Sequence, residues 1–231
     1  MSDFSKRSYH KELLDRDDIP FEDIKRNMQE LETVNKYLGG HRITVNSIKP
    51  FLFRQNEPLV ICEIGCGGGD NLKAISKWCA AKKINIRLMG IDINKECIAC
   101  AKQNCKDLNA EWIISDYRLI NFNSKPDVIF SSLFCHHFTD EELITQLQWM
   151  KENAATGFFI NDLHRHPVAY YFIKWVTKFF SKSYLVKNDA PLSVLRGFTK
   201  KEWQRILIAA RLNSYTLKWK WAFRWVIVYQ N

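Results

Sequence analysis

Leu59-Val60-Ile61-Cys62-Glu63-Ile64 runs directly into Gly65-Cys66-Gly67-Gly68-Gly69-Asp70. An apolar strand signal thus ends in a glycine-rich turn, and helical spacing begins at Asp70. Glycine accepts positive φ and lets a ligand approach the backbone closely. The helix start beyond it offers N–H groups with no partner in the helix. Such a segment is a ligand cradle, and its neighbours decide which ligand it accepts. A phosphate-binding P-loop needs Lys-Ser/Thr after its last glycine, where this chain has Asp70-Asn71. A dinucleotide turn reads G-x-G-x-x-G. Counted from Gly65 and Gly67, its third glycine falls on Asp70, whose carboxylate repels a pyrophosphate. What remains is an acid followed by three alternating glycines: Glu63, Gly65, Gly67 and Gly69, with Cys66 inside the turn.

Outward from the cradle, strand and helix signals alternate. Strands are expected at 59–64, 86–91, 111–115, 127–132 and 158–161, and helices at 70–81, 95–108 and 140–153. That rhythm implies a parallel sheet with right-handed crossovers. It changes after residue 200, where a helix over 200–212 precedes two tightly joined strands, 215–221 and 223–230, which must be antiparallel. Ahead of the core, residues 1–18 read as a polar, loosely held arm. Ile24, Met28, Leu31, Val34 and Leu38 predict a helix over 19–38, which Gly39-Gly40 ends, and a second helix over 41–53 is interrupted at Pro50. The expected fold class is α/β: a doubly wound, Rossmann-like, seven-stranded and mainly parallel sheet with an antiparallel C-terminal hairpin and a helical N-terminal preface. Residues 1–57 form the arm and cap, and 58–231 the core.

An apolar content of 46% with 26% charged residues matches a soluble globular protein rather than a disordered or membrane-embedded one. No apolar stretch reaches the length of a membrane span, and residues 1–6 lack the apolar core of a signal peptide. Seven cysteines, an odd number in apolar contexts, suit reduced thiols in the cytoplasm. The net charge of +9 comes from lysines spread over most helices. A solvated surface accounts for it as readily as RNA or an anionic membrane does.

The Glu63-x-Gly65-x-Gly67-x-Gly69 pattern resembles motif I of the class I S-adenosylmethionine (SAM) dependent methyltransferases. The terminal hairpin is similar to that family's fold, and the resemblance covers about residue 58 to the end. SAM carries a sulfonium and an ammonium but no phosphate, so carboxylates suit it. Asp92 ends the second strand about 20 residues past the glycines, where an acid grips a ribose diol. The resemblance gives it, with Ile93, that role toward SAM; the competing reading is that Asp92 only caps the next helix. By the same resemblance, Asp116 and Tyr117 at the third strand end meet the adenine, and Ser131 and Ser132 at the fourth face the methionine portion.

Methyl transfer from a sulfonium needs alignment and exclusion of water, and a base only where the acceptor must lose a proton. His136 and His137 follow the fourth strand, and either is a candidate to contact the acceptor as base or hydrogen-bond partner. No metal is expected: Cys97-x-x-Cys100 lacks a partner pair, and Ser131, Ser132 and His136 are not the acids a magnesium site wants, Asp162 being the exception nearby. The resemblance makes the insertion at about 163–199, with its aromatic run after Pro167, the acceptor pocket. Arg165, Tyr171, Asp189, Ser193 and Arg196 are expected to bind a lipophilic substrate with a polar head. Asn35-Lys36-Tyr37-Leu38-Gly39-Gly40 together with that segment resembles a bacterial group linked to quinone-like or polyketide products, although His164 stands where the group carries an acid. The expected function is SAM-dependent methylation of a small, lipophilic acceptor at oxygen, with membrane-surface contact through 168–182 compatible with it. The alternatives are an RNA methyltransferase on the same fold and a non-catalytic SAM-binding protein.

Overall fold

Strand β1 (Leu59–Ile64) lies inside the sheet, paired in parallel with β2 (Ile86–Asp92) on one side and β4 (Val128–Ser132) on the other. The computed structural model describes residues 3–16, 18–52 and 58–231. Strand β3 (Ala110–Ile114) extends one edge, and β5 (Gly157–Leu163), β7 (Arg224–Gln230) and β6 (Tyr215–Lys220) extend the other. The order is β3-β2-β1-β4-β5-β7-β6, with β7 antiparallel to β5 and β6 antiparallel to β7. The expected seven-stranded sheet and its hairpin are therefore present. Its direction of winding reverses between β1 and β4, the place where ligands enter doubly wound sheets.

Alternation along the strands builds two cores. Ile61, Phe130 and Phe159 face helix α2 (Gly40–Ile48) and helix α3 (Asp70–Ala81), and the two phenylalanine rings stack 4.7 Å apart. Cys62, Ile129, Phe158 and Ile160 face the other way, toward α5 (Asp140–Asn153) and α8 (Lys200–Ala209). Thr139 with Glu142, and Thr199 with Glu202, form capping boxes that start these two helices. Helix α1 (Phe21–Tyr37) lays Ile24 and Met28 against Cys97 and Cys100 of α4 (Lys95–Asn104).

One expectation needs correction, and one helix has no counterpart among the expected elements. Residues 3–16 are no loose arm: Arg7 and Glu12 are buried, and the Ser8 N–H donates to the Leu195 carbonyl. The segment after the aromatic helix α6 (Pro167–Phe180) is itself a helix, α7 (Tyr184–Arg196), which Pro191 conceals in the sequence. It forms nonetheless because Leu185, Val186 and Val194 are buried. The expected end of the second helix at Phe53, like Met1 and Ser2, lies outside the described residues. Among those described, no helix is long and apolar enough to cross a membrane.

Candidate active site

The cradle keeps its glycines for separate reasons. Gly65 has φ +65°, and a Cβ there would lie 2.2 Å from the Phe134 ring. Gly67 has φ +50°, and its N–H donates to Asp92 Oδ2 at 2.9 Å. Gly69, at φ +76°, lies under Trp112, so this glycine serves packing. Asp92 Oδ1 accepts from the Asn94 N–H at 2.9 Å, which leaves lone pairs on both oxygens. The cap of α4 is Asn94, accepting from the N–H groups of Glu96 and Cys97, so Asp92 is free of that duty.

Glu63 is fully buried beneath the turn. Its Oε1 accepts from Asn71 Nδ2 at 3.0 Å, while Oε2 has no partner among the described residues. Burial, with the charges of Asp70 and Asp92 nearby, pushes its carboxyl well above the usual range. Arg224, at the start of β7, shows the opposite deficit. Burial lowers it to about 10, and Nη1 is unpartnered while Nη2 donates to Asn35 Oδ1 at 3.3 Å. Asn35 in turn donates to Asp70 at 2.9 Å, beside His41 at 2.6 Å. These contacts outweigh the burial of Asp70 and hold its carboxyl low. Glu63 and Arg224, each with one orphaned polar atom, thus border one cavity, a match in charge for the ammonium and carboxylate of an amino-acid group. Nothing in the sequence singled out Arg224.

The loop after β4 is organised by a residue of β5. Leu133 adopts φ +55°, a costly conformation for a branched side chain, and donates its N–H to the Asn161 carbonyl. Asp162 Oδ2 then accepts the N–H groups of Phe134 (3.1 Å) and Cys135 (2.7 Å), and Oδ1 meets His136 Nδ1 at 2.8 Å. Burial disfavours the His136 imidazolium, but Asp162 and Glu12 prevail and raise it to about 9. The pair with Asp162 thus favours the charged form of His136, a setting that suits a hydrogen-bond donor better than a base. His137 is more open and has Glu12 and Asp15 as neighbours, its Nε2 3.7 Å from Glu12 Oε2 and its Nδ1 3.3 Å from Asp15 Oδ1.

The docked arm brings those two acids. Arg7 donates to the carbonyls of Arg196 and Phe138 and to Asp140. Arg196, expected to bind an acceptor head, instead donates from Nε to the His136 carbonyl (3.0 Å), from Nη2 to that of His137 (2.9 Å) and from Nη1 to that of His10 (2.8 Å). Asp189 accepts the N–H groups of Leu13 and Leu14, so it too holds the arm. Ser193 donates to Glu12 Oε1 at 2.6 Å. Arg165 is buried against the carbonyls of Phe4 and Gly197 and against Glu202, and Tyr171 is exposed beside Phe4. Both lie away from the cavity. These arginines and acids build the site; three of the five expected substrate contacts do not line it.

The cavity itself has a volume of about 1140 Å³. Glu63, Gly65, Cys66, Gly67, Asp92 and Ile93 line one part of it. Ser132, His136, His137, Ser193 and Arg196 line another. Ser131 is enclosed in the core against Cys135. Asp116 caps a short turn and pairs with Arg118, and Tyr117 packs its edge on Trp149, 5.0 Å away. Neither borders the cavity, because both are committed to neighbours in their own segment and the core.

A methyltransferase-domain family matches residues 61–157, from β1 to the start of β5. The chain carries a class I SAM-dependent methyltransferase domain. No curated protein sequence matches the chain. Among solved structures, the plantazolicin methyltransferase BpumL, in complex with a monoazolic desmethylPZN analogue and SAH, is 20% identical with a TM-score of 0.65. The match covers 91% of this chain and 90% of BpumL. Human N-acetylserotonin methyltransferase with SAM is 16% identical at TM-score 0.65, covering 92% of this chain and 56% of that one. Magnesium protoporphyrin IX methyltransferase from Synechocystis with SAM is 12% identical at TM-score 0.56, covering 87% and 83%. At these identities the likeness is one of fold. The methyltransferase domain uses SAM, and the paired orphan atoms of Glu63 and Arg224 fit the methionine end of that cofactor.

Proposed function

We propose that this methyltransferase moves the methyl group of SAM to an oxygen of a small, lipophilic acceptor of the phenol, quinol or polyketide type. The carrying observation is the cavity. At about 1140 Å³ it exceeds the roughly 300–1,000 Å³ of a single-ligand pocket. It joins the charged cradle to an apolar wall of Phe172, Ile173, Ala190 and Val194, from α6 and α7. Donor and acceptor have room there at once. In keeping with this, BpumL was crystallised with a small azole-containing analogue.

Bound SAM supplies a methyl group on a cationic sulfur, which leaves as a neutral thioether. Glu63 and Arg224 would take the ammonium and carboxylate, and Asp92 the ribose hydroxyls through its free lone pairs. Asp116, Tyr117 and Ser131 are less suited to touch the cofactor than Gly68, which borders the cavity. His137 faces the acceptor and can receive its proton, with Glu12 and Asp15 beside the charge that forms. The docked arm and α7 wall the acceptor side of the cavity, which limits the access of water there. On this reading the residues before β1 are a working cap, and 163–199 is the acceptor-side insertion of the core. All seven cysteines are buried and unpaired, which suits a reducing, cytoplasmic compartment.

A panel of phenols, quinols, polyketides and RNA offered with methyl-labelled SAM tests the proposal. Label in the oxygen of a small aromatic acceptor is expected. Label in RNA alone, with affinity falling steeply with salt, would move the reading to nucleic acid. Tight SAM binding without transfer to any acceptor would make the chain a binding protein.

A further inference from the structure

We propose that Glu12, His136 and His137 bind one divalent transition-metal cation of the zinc class in the cavity wall. Glu12 lies far in sequence from the adjacent His136 and His137 and reaches them through the docked arm, and the ligating atoms of the three lie within 4.8 Å of one another. Both imidazoles turn Nε2 to the same carboxylate: His136 to Glu12 Oε1 at 3.5 Å, and His137 to Glu12 Oε2 at 3.7 Å. Charge-assisted hydrogen bonds would be about 2.7–2.9 Å, so neither contact is one. Metal–ligand bonds of about 2.0–2.1 Å in a tetrahedron place neighbouring ligand atoms roughly 3.3–3.4 Å apart. The two observed spacings, 3.5 and 3.7 Å to the two oxygens of Glu12, are a few tenths of an ångström longer than that edge, a gap that a cation would draw in.

The backs of the rings repeat the pattern. His136 Nδ1 lies 2.8 Å from Asp162 Oδ1, and His137 Nδ1 lies 3.3 Å from Asp15 Oδ1. A carboxylate behind each ligating imidazole fixes the ring and raises its basicity, the usual outer support of histidine–metal sites. Ser193 donates to Glu12 Oε1, the oxygen that faces His136, and so fixes the carboxylate, and Arg196 ties the backbone carbonyls of both histidines. A divalent cation would supply positive charge beside the buried carboxylates of Glu12 and Asp162. Cysteine spacing could not reveal this set, because its carboxylate comes from the polar arm.

Three protein ligands leave one position open, the arrangement of a reactive rather than a structural site. All three residues line the cavity, so water or an acceptor oxygen would complete the shell. With the cation bound, His137 would serve as ligand, while the cation, in place of a free imidazole, eased loss of the acceptor's proton. This last point rests on the methyl-transfer reading; the binding of the cation does not.

Cobalt(II) titration of the intact protein reads the site directly. One equivalent should give the strong visible absorption of tetrahedral cobalt without the thiolate charge-transfer band that cysteine ligation would add. Glu12→Gln and His137→Ala should each weaken cobalt binding more than about tenfold while SAM binding, followed by calorimetry, persists and reports a folded cradle. No visible band, a band with thiolate character, or a band unchanged in both variants would overturn the site. Cobalt binding without any methyl transfer would keep the site and sink the proposed function; transfer without cobalt binding would do the reverse.

Discussion

The carboxylate of Asp162 meets Nδ1 of His136 at 2.8 Å with both side chains buried, and it also accepts the backbone N–H groups of Phe134 and Cys135. One side chain of β5 therefore sets the shape of the loop after β4. Asp162→Ala should cost about 3–5 kcal/mol in urea unfolding, because it strands a buried charge and two donors. A loss below about 1 kcal/mol would mean that the loop holds itself.

Glu63 is buried with one oxygen unpaired, a cost to the free protein. Glu63→Gln should leave stability unchanged or raise it while weakening SAM binding on the order of tenfold or more. The raised carboxyl also sets signs. In the free protein its contribution to stability is present below the ordinary carboxylate value and is lost as pH rises through the raised one. SAM affinity, which needs the ionised form, should fall as pH drops through that same raised value. Calorimetry across pH checks both, and a flat affinity profile would remove Glu63 from the ammonium's partners.

Gly65 and Gly68 should respond differently to alanine. At Gly65 the new Cβ meets the Phe134 ring at 2.2 Å on a backbone of φ +65°. Thermal unfolding should drop by more than the roughly 1–2 kcal/mol of the backbone strain alone. At Gly68 the nearest atom is Met28 Cβ at 3.3 Å, which a shift of α1 by a few tenths of an ångström relieves. Equal losses at the two positions would contradict this division.

Helix α6 exposes Trp175, Phe179 and Phe180, at 56, 62 and 74% of their surface, on an element that also carries Lys174 and Lys178. The protein should co-float with anionic vesicles, less so in high salt, and lose this on charge reversal of Lys174, Lys178 and Lys182. Flotation untouched by those changes would exclude an electrostatic attachment.

Much of the frame could be read from local pattern. Helices 70–81 and 140–153 fall where the sequence places them because Gly69 and the Thr139–Glu142 box mark their starts. The hairpin is legible because Trp225, Ile227 and Tyr229 alternate with the residues of the opposite face. The polar half of the site was not legible in this way. Arg165 and Arg196 look like anion binders in sequence, but their partners are mainly backbone carbonyls, which leave no trace in side-chain spacing. Glu12 and Asp15 sit in a charged stretch of the kind that is normally solvated, and only tertiary docking buries Glu12. Arg224 reads as one more strand-end cation, and its unpaired nitrogen emerges only once Asn35 is seen beside it.

Glu12 and Ser193, which hold one another, stand 181 residues apart in sequence, and Arg224, which borders the donor cradle, comes later still. A chain growing from its amino end can form the strand and turn around Gly65 before either partner exists. The acceptor wall and the far side of the donor cradle therefore wait together for the same late stretch of chain. The competence to react arrives only when segments distant in the polypeptide have met.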